Sequence, residues 1–381
     1  MVDGPRAVKP EEFWSLVQMV NKVFRAKGGD MQAEFPHVFN AGNLSNLRVI
    51  VEDGQVVSHV GIVLRDVTIY GCRLTVGCIG VVATAEEYRG RGLASKLLID
   101  AFARIEEAGG SLILISGGRG LYRRNGCVPV SRATHFEIPR SFATKKADPK
   151  LVLKAFKPDE IPTVSALYRR EPVRFLRPVE DYRYFLDSGM AMDRPSGLWL
   201  IKRGSRAVAY AVVQRATTSA APHIVEYAGD RRAIVESLAM IISYNGDTDT
   251  LNLSVPVADE PFRWQLKELG LTPVGQEMDA CGCTVRIQKF PLFLQCIRPY
   301  LTEILDSEVV RSLRVEDSGP DVTFYLEKQR FTLLRDDATA LVFGTPEGIE
   351  HRILEGDGGA VAEVLGKLFP LPAPWYGLNF V

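Results

Sequence analysis

The sequence predicts an α+β fold in more than one domain, and three observations lead there. At 381 residues the chain exceeds what one hydrophobic core ordinarily holds. Strand-like apolar runs are interleaved with amphipathic helical patterns along its length. The same order of elements occurs twice, once before about residue 139 and again, in weaker form, after about residue 154.

The first copy opens with KPEEFWSLVQMVNKVFR over 9–25, where a proline and two acids precede Phe13, Val17, Val20 and Phe24. Their spacing of three and four predicts an amphipathic helix. Three strand-like runs follow, LRVIVED, VSHVGIVLRDVTIYG and TVGCIGVVAT. The links Asp53-Gly54 and Gly71-Cys72-Arg73 read as hairpins, so these strands should pair antiparallel. The stretch EYRGRGLASKLL then opens a helix that Gly109-Gly110 closes. After it SLILIS is nearly all apolar, as in a strand buried on both faces, and completes a βαβ unit.

Between 139 and 154 the pattern loosens into polar residues with two prolines, which marks a domain boundary. The second copy places a helix near DEIPTVSALYRR, paired strands in GLWLIKRGSRAVAYAVVQRA, a strand HIVEYAG, a helix RRAIVESLAMIISYN and a strand TLNLSVPV. From 284 the pattern changes: TVRIQKFPLFLQCIRPYL leads into a helix, strands are expected in VTFYLEKQRFTLLRD and ATALVFGT, and a helix in AVAEVLGKLF. The chain ends PLPAPWYGLNFV, apolar and aromatic where termini usually fray in water, so this tail is expected to be docked. The expected domains are 1–145, 146–283 and 284–381.

Hydrophobic residues make up 46% and charged residues 24%, an ordinary globular composition. Forty-six basic residues balance forty-six acidic ones, so nothing calls for a nucleic-acid or anionic-membrane partner. No run of about 18 apolar residues and no signal-like apolar core is present, and a soluble cytoplasmic protein is expected. Six cysteines are too sparse for a disulfide scaffold. The only close pair is Cys281-Gly282-Cys283, and the five histidines are scattered singly, so no metal site is expected. His59 and His135 could each relay protons, but a lone histidine in or beside a strand more often has a structural role.

The glycines of EYRGRGLASKLL admit two readings, a pair that merely permits a tight turn or a turn that holds an anion. A helix N-terminus leaves its first N–H groups unpaired and partly positive, so a turn that bares them can hold a phosphate. Gly90 and Gly92 let the backbone approach an anion, and Arg89 and Arg91 add charge. A kinase-type loop would need Gly-Lys-Ser/Thr, which is absent, and a dinucleotide fingerprint would have to follow the first strand. In the second copy the corresponding turn, Gly229-Asp230-Arg231-Arg232-Ala233-Ile234, has one glycine and an acid, so it is not expected to bind an anion.

The element order and the motif Arg89-x-x-Gly92-x-Ala94 resemble the GNAT superfamily of N-acetyltransferases. That resemblance implies acetyl-CoA as co-substrate. Val82, Ala83 and Thr84 would pair with the pantetheine arm and thioester. Arg89, Gly90, Arg91, Gly92, Leu93, Ala94 and Ser95 would cradle the pyrophosphate. Glu86 stands where the family commonly has proline, which bears on the loop entry. Leu121-Tyr122-Arg123-Arg124-Asn125-Gly126-Cys127 resembles the family's Tyr-x-x-x-Gly-Phe, with Cys127 in place of the aromatic. Tyr122 would then protonate the departing thiolate, a role open to a phenol that is protonated at neutral pH.

The whole chain is similar to the Eis (enhanced intracellular survival) acetyltransferases. The resemblance implies tandem GNAT folds, the first active and the second without the cofactor motif, then a sterol-carrier-protein-like domain. Val285-Arg286-Ile287, Phe293-Leu294 and Arg298-Pro299-Tyr300-Leu301 match how that third domain opens. It also implies a homohexamer and a C-terminal carboxylate acting as general base, here that of Val381, with Phe380 where the family ends.

Direct transfer to an amine is expected, because an unprotonated amine can attack a thioester once a proton acceptor and a donor are in place. Cys78 and Cys127 are the candidate nucleophiles for an acetyl-enzyme route instead. Acceptors implied by the family are aminoglycoside-like amines and lysines, with polyamines and small amines open as well. The competing class is a non-catalytic acyl-CoA or lipid-binding sensor.

Overall fold

The computed structural model describes residues 2–130, 133–246, 248–275, 283–356 and 358–381. The chain divides into two compact units, one of residues 1–130, 282–371 and 381, the other of residues 131–281 and 372–380.

In the first unit the elements up to residue 130 are β1 (Val2–Ala7), α1 (Phe13–Phe24), α2 (Met31–Glu34), β2 (Leu47–Glu52), β3 (Gln55–Ile69), β4 (Cys72–Thr84), α3 (Leu93–Glu107), β5 (Leu112–Ile115), α4 (Gly120–Arg123) and β6 (Val128–Pro129). Both expected hairpins form, and β2, β3 and β4 pair antiparallel. β5 runs parallel to β4 after the α3 crossover. Helix α3 buries Leu97, Leu98, Ala101, Phe102 and Ile105, each large side chain contributing about 1.5–3 kcal/mol. A Cβ at Gly77 would collide with Ile105, so the glycine lets helix and sheet meet.

The sheet continues past β5 through Thr284–Ile287 to β6. The segment expected as a third domain thus contributes a strand to the first sheet, paired antiparallel with β5 and β6. Beyond it lies a three-stranded meander, Leu313–Ser318, Asp321–Leu326 and Gln329–Leu334. The strand expected in ATALVFGT is instead part of a helix, Arg335–Phe343, buried almost all round. A continuous apolar run reads alike in a buried strand and a buried helix, and the helix prevails here.

The second unit holds the sheet order Met190–Ala191, Arg194–Arg203, Arg206–Gln214, His223–Gly229, Thr250–Pro256, Ala133–Pro139. His223–Gly229 and Thr250–Pro256 are parallel around the crossover helix Arg231–Tyr244. The repeated GNAT-like α+β order is present. Relative to the expected boundary at 145, the division falls earlier, before both the strand Ala133–Pro139, which pairs along its whole length with Thr250–Pro256, and the helix Arg140–Lys146.

Tail residues 372–380 dock in the second unit on a buried ion pair. Arg177 grips Glu226 through two bonds of 2.7 and 2.6 Å, and Tyr210 Oη donates to Glu226 at 2.7 Å. Leu378 N–H donates to Glu226 at 3.0 Å, and Asn379 bridges Arg177 and Asp181. The tail is tied to this pair by hydrogen bonds to charged groups, each contributing about 1.5–3 kcal/mol.

Candidate active site

The first unit contains a cleft of about 600 Å³ where β4 ends and α3 begins. Its shape starts from a mismatch in the sheet. Gly61 faces Gly80 and His59 faces Ala83, so Val81 and Val82 oppose the single residue Val60, a β-bulge. Val81 carries the strain, at φ +50°, a conformation a β-branched residue rarely adopts. His59 braces it, with Nδ1 2.9 Å from the Val81 carbonyl. Burial lowers the His59 pKa to about 4, so the ring is neutral and Nδ1–H donates.

The parallel register of β4 with β5 ends at Ile79–Ile115, yet β4 runs on to Thr84. Past that point no strand pairs with this edge of β4 among the described residues. Val82, Ala83 and Thr84 line the cleft there. Ser58 Oγ steadies the strand end through Ala83 O at 3.0 Å and Thr84 Oγ1 at 2.8 Å.

Opposite them, α3 starts at Gly92, whose φ of +74° is left-handed and which offers no side-chain cap. Gly90 is likewise left-handed at φ +77°. The first N–H groups of α3 therefore have no capping side chain, and the walls include Arg89, Gly90, Leu93, Ala94 and Ser95. Arg91 is the exception among the ten residues expected around the cofactor. Its guanidinium turns to Glu52, 2.7 Å away, and lies over the Tyr88 ring. Arg119 and Arg124, neither of them expected at the cofactor, line the cleft instead. Their flanking of Tyr122 was the available signal.

Tyr122 is buried in the core beneath α3, with Leu121 at the cleft wall. Burial raises its pKa, with Arg119 pulling the other way, so the phenol stays protonated at neutral pH. Cys127 is buried, and its thiol is pushed up to about 12, which leaves no thiolate at neutral pH. Cys78 is fully buried in β4. Val381 is also buried, and its carboxyl group packs on Gly80, where a Cβ would overlap it. Among the described residues no cation forms an ion pair with that carboxylate.

His135 lies in the second unit, 2.8 Å from Ser254 Oγ, which also meets His223. Of the close cysteine pair, Cys281 and Gly282 lie outside the described residues, and Cys283 is buried. Among the described residues no group of three metal-ligating side chains gathers, and no helix is long and apolar enough to cross a membrane.

Residues 5–130 match the acetyltransferase (GNAT) domain family. Three solved structures share the fold over essentially the whole chain. A GCN5-related N-acetyltransferase from Anabaena variabilis is 17% identical with a TM-score of 0.69, covering 100% of both chains. A probable N-acyltransferase from Enterococcus faecalis is 16% identical with a TM-score of 0.72, covering 98% of both. Eis1 from Mycobacterium abscessus is 13% identical with a TM-score of 0.65, covering 100% of both. At these identities the likeness is one of fold. No curated protein matches the chain.

Proposed function

Because residues 5–130 form a GNAT acetyltransferase domain, a fold that moves an acyl group from coenzyme A to an amine, we propose that this protein transfers acetyl directly from acetyl-CoA to a bound amine. The observation that carries the reading is the uncapped start of α3 facing the bulged end of β4 across one cleft. Backbone N–H groups at a helix start suit a pyrophosphate, and an unpaired strand edge suits an amide-bearing arm.

Acetyl-CoA, when bound, supplies the thioester. Residues 90–95 and Arg89 would hold its phosphates, and Val82 to Thr84 its arm. Tyr122 would give its phenolic proton to the departing sulfur, a role supported by the burial that keeps it protonated. The Val381 carboxylate would accept the proton that the attacking amine sheds, supported by its packing on Gly80, two residues before Val82. The buried, protonated Cys127 and the buried Cys78 favour direct transfer over an acetyl-enzyme. Acceptors of aminoglycoside, polyamine, small-amine or lysine type all meet this chemistry.

The test is thiol release from acetyl-CoA across an amine panel. Amine-dependent turnover is expected, and Tyr122→Phe should lower kcat about 100-fold while CoA affinity holds. Removing Phe380 and Val381 should lower kcat as well. Tight CoA binding without amine-dependent turnover would instead make the protein an acyl-CoA sensor.

A further inference from the structure

The first unit contains a second concavity, a groove of about 940 Å³ against the outer side of α3. We infer that it is a binding site for a small organic oxyanion, a carboxylate or phosphate with an apolar body, centred on Arg286.

Arg286 stands on the strand Thr284–Ile287 that completes the first sheet. Its guanidinium is held on three sides. Nη1 donates to Asn125 O at 2.8 Å, Nε donates to Gln288 Oε1 at 3.1 Å, and the plane lies 5.2 Å from the Phe102 ring centroid. Gly126 makes the fit possible: it sits at φ +69°, and a Cβ there would come within 2.6 Å of Nη1.

Of the five guanidinium N–H groups, two are used in these bonds. Among the described residues no carboxylate lies within ion-pair distance of Arg286. The carboxylates that line the groove are turned elsewhere: Glu106 to Lys289 and Gln288, Asp317 to Arg335, Asp336 to the Asp337 N–H. Burial works against the charge on Arg286, lowering its pKa. A half-buried, pre-positioned fork without a counter-charge is an incomplete ion pair, and a planar oxyanion completes it through two parallel bonds.

The remaining walls set the ligand's other half. Arg123 and Arg124 extend the positive rim, while Phe102, Pro291 and Pro320 line the groove. Ile99 and Leu334, 61% and 54% exposed, are large apolar side chains left in water beside it. A free inorganic anion would leave that apolar surface wet; an acid with an aliphatic or aromatic body covers it. Arg124 lines both this groove and the cofactor cleft, so the two sites are told apart by filling the first.

The experiment titrates CoA-saturated protein by calorimetry with octanoate, phenyl phosphate, inorganic phosphate and, as a neutral control, octanol. Saturable one-site binding of octanoate or phenyl phosphate is expected, with octanol silent and inorganic phosphate at least tenfold weaker. Arg286→Gln should weaken binding at least tenfold. Ile99→Glu, on the exposed face of α3, should do the same with an unchanged melting curve, so the inference stands or falls even if Arg286→Gln fails to fold. Equal affinity in wild type and Ile99→Glu, inorganic phosphate binding as tightly as phenyl phosphate, or no saturable binding by either organic acid would each overturn it.

Discussion

The two crossover helices of this chain begin in opposite ways. α3 starts at a left-handed glycine with no capping side chain, beside a cleft of about 600 Å³. Its counterpart, Arg231–Tyr244, starts at Asp230, whose carboxylate accepts from Arg232 N–H and Ala233 N–H. The space beside it is a smaller pocket, of about 210 Å³, whose wall carries Arg231, paired with Glu171 and with Asp259 Oδ2 at 2.6 Å, while Tyr227 donates to Asp259 as well. One helix start has no capping side chain; the other carries its own carboxylate. On the proposed reading, what distinguishes the copies is whether a side chain already occupies the place where the cofactor's anion would sit.

The strongest way to break the contrast is to give the first helix the second one's acid. Gly92→Asp puts a carboxylate where the cleft needs bare N–H groups. Losing two charge-assisted bonds at about 1.5–3 kcal/mol each should raise the dissociation constant for CoA roughly 10³-fold. Calorimetry reads this directly, with thermal melting as the control for fold. A change below tenfold would mean that the α3 terminus does not hold the cofactor.

The copies can next be compared through a histidine in each sheet, His59 buried and His223 partly so. His59 and His223 each have a folded pKa lowered to about 4, by burial above all and for His223 also by His135 and Arg194. Below about pH 6.5 the unfolded chain takes up a proton that the folded one refuses, so stability falls as pH drops from about 6.5 to about 4 and is untouched above that window. The fully buried His59 accounts for roughly 3 kcal/mol of the loss, the less buried His223 for less. Urea unfolding of His59→Gln and His223→Gln at pH 7.5 and pH 4.5 measures each share. If His59→Gln leaves the acid sensitivity unchanged, the ring is not held neutral against the Val81 carbonyl.

What the sequence made legible follows from how local each demand is. The bare turn could be read because two glycines, Gly90 and Gly92, stand within a few residues of a helix start. The acid at Asp230 was visible for the same reason. Its partners were not: Arg231 reaches Glu171 across 60 positions of sequence, and no local pattern announces such a pair. The same holds for Thr284–Ile287, whose place between β5 and β6 is set by pairing across more than 150 residues. β1 escaped notice because VDGPRA is a largely exposed edge strand without apolar alternation. The brace of Val81 by His59 could not be inferred either, since backbone strain at a bulge leaves no residue signature when the strained residue is a valine.

The smallest effect probes the contrast from the other side. Asp230→Gly removes the cap from the second helix and should cost only about a few tenths of a kcal/mol of stability, read as a small fall in the urea midpoint. CoA stoichiometry should remain one per chain. Baring the N–H groups does not empty the space beside them, because Arg231 stays clamped between Glu171 and Asp259, and those two carboxylates would repel a pyrophosphate. If a second CoA binds to Asp230→Gly, the cap alone silences this copy and the ion-pair cluster is incidental. If binding appears only once Glu171→Gln and Asp259→Asn are added, the copy is silenced by charge filling the pocket and the cap merely finishes the helix.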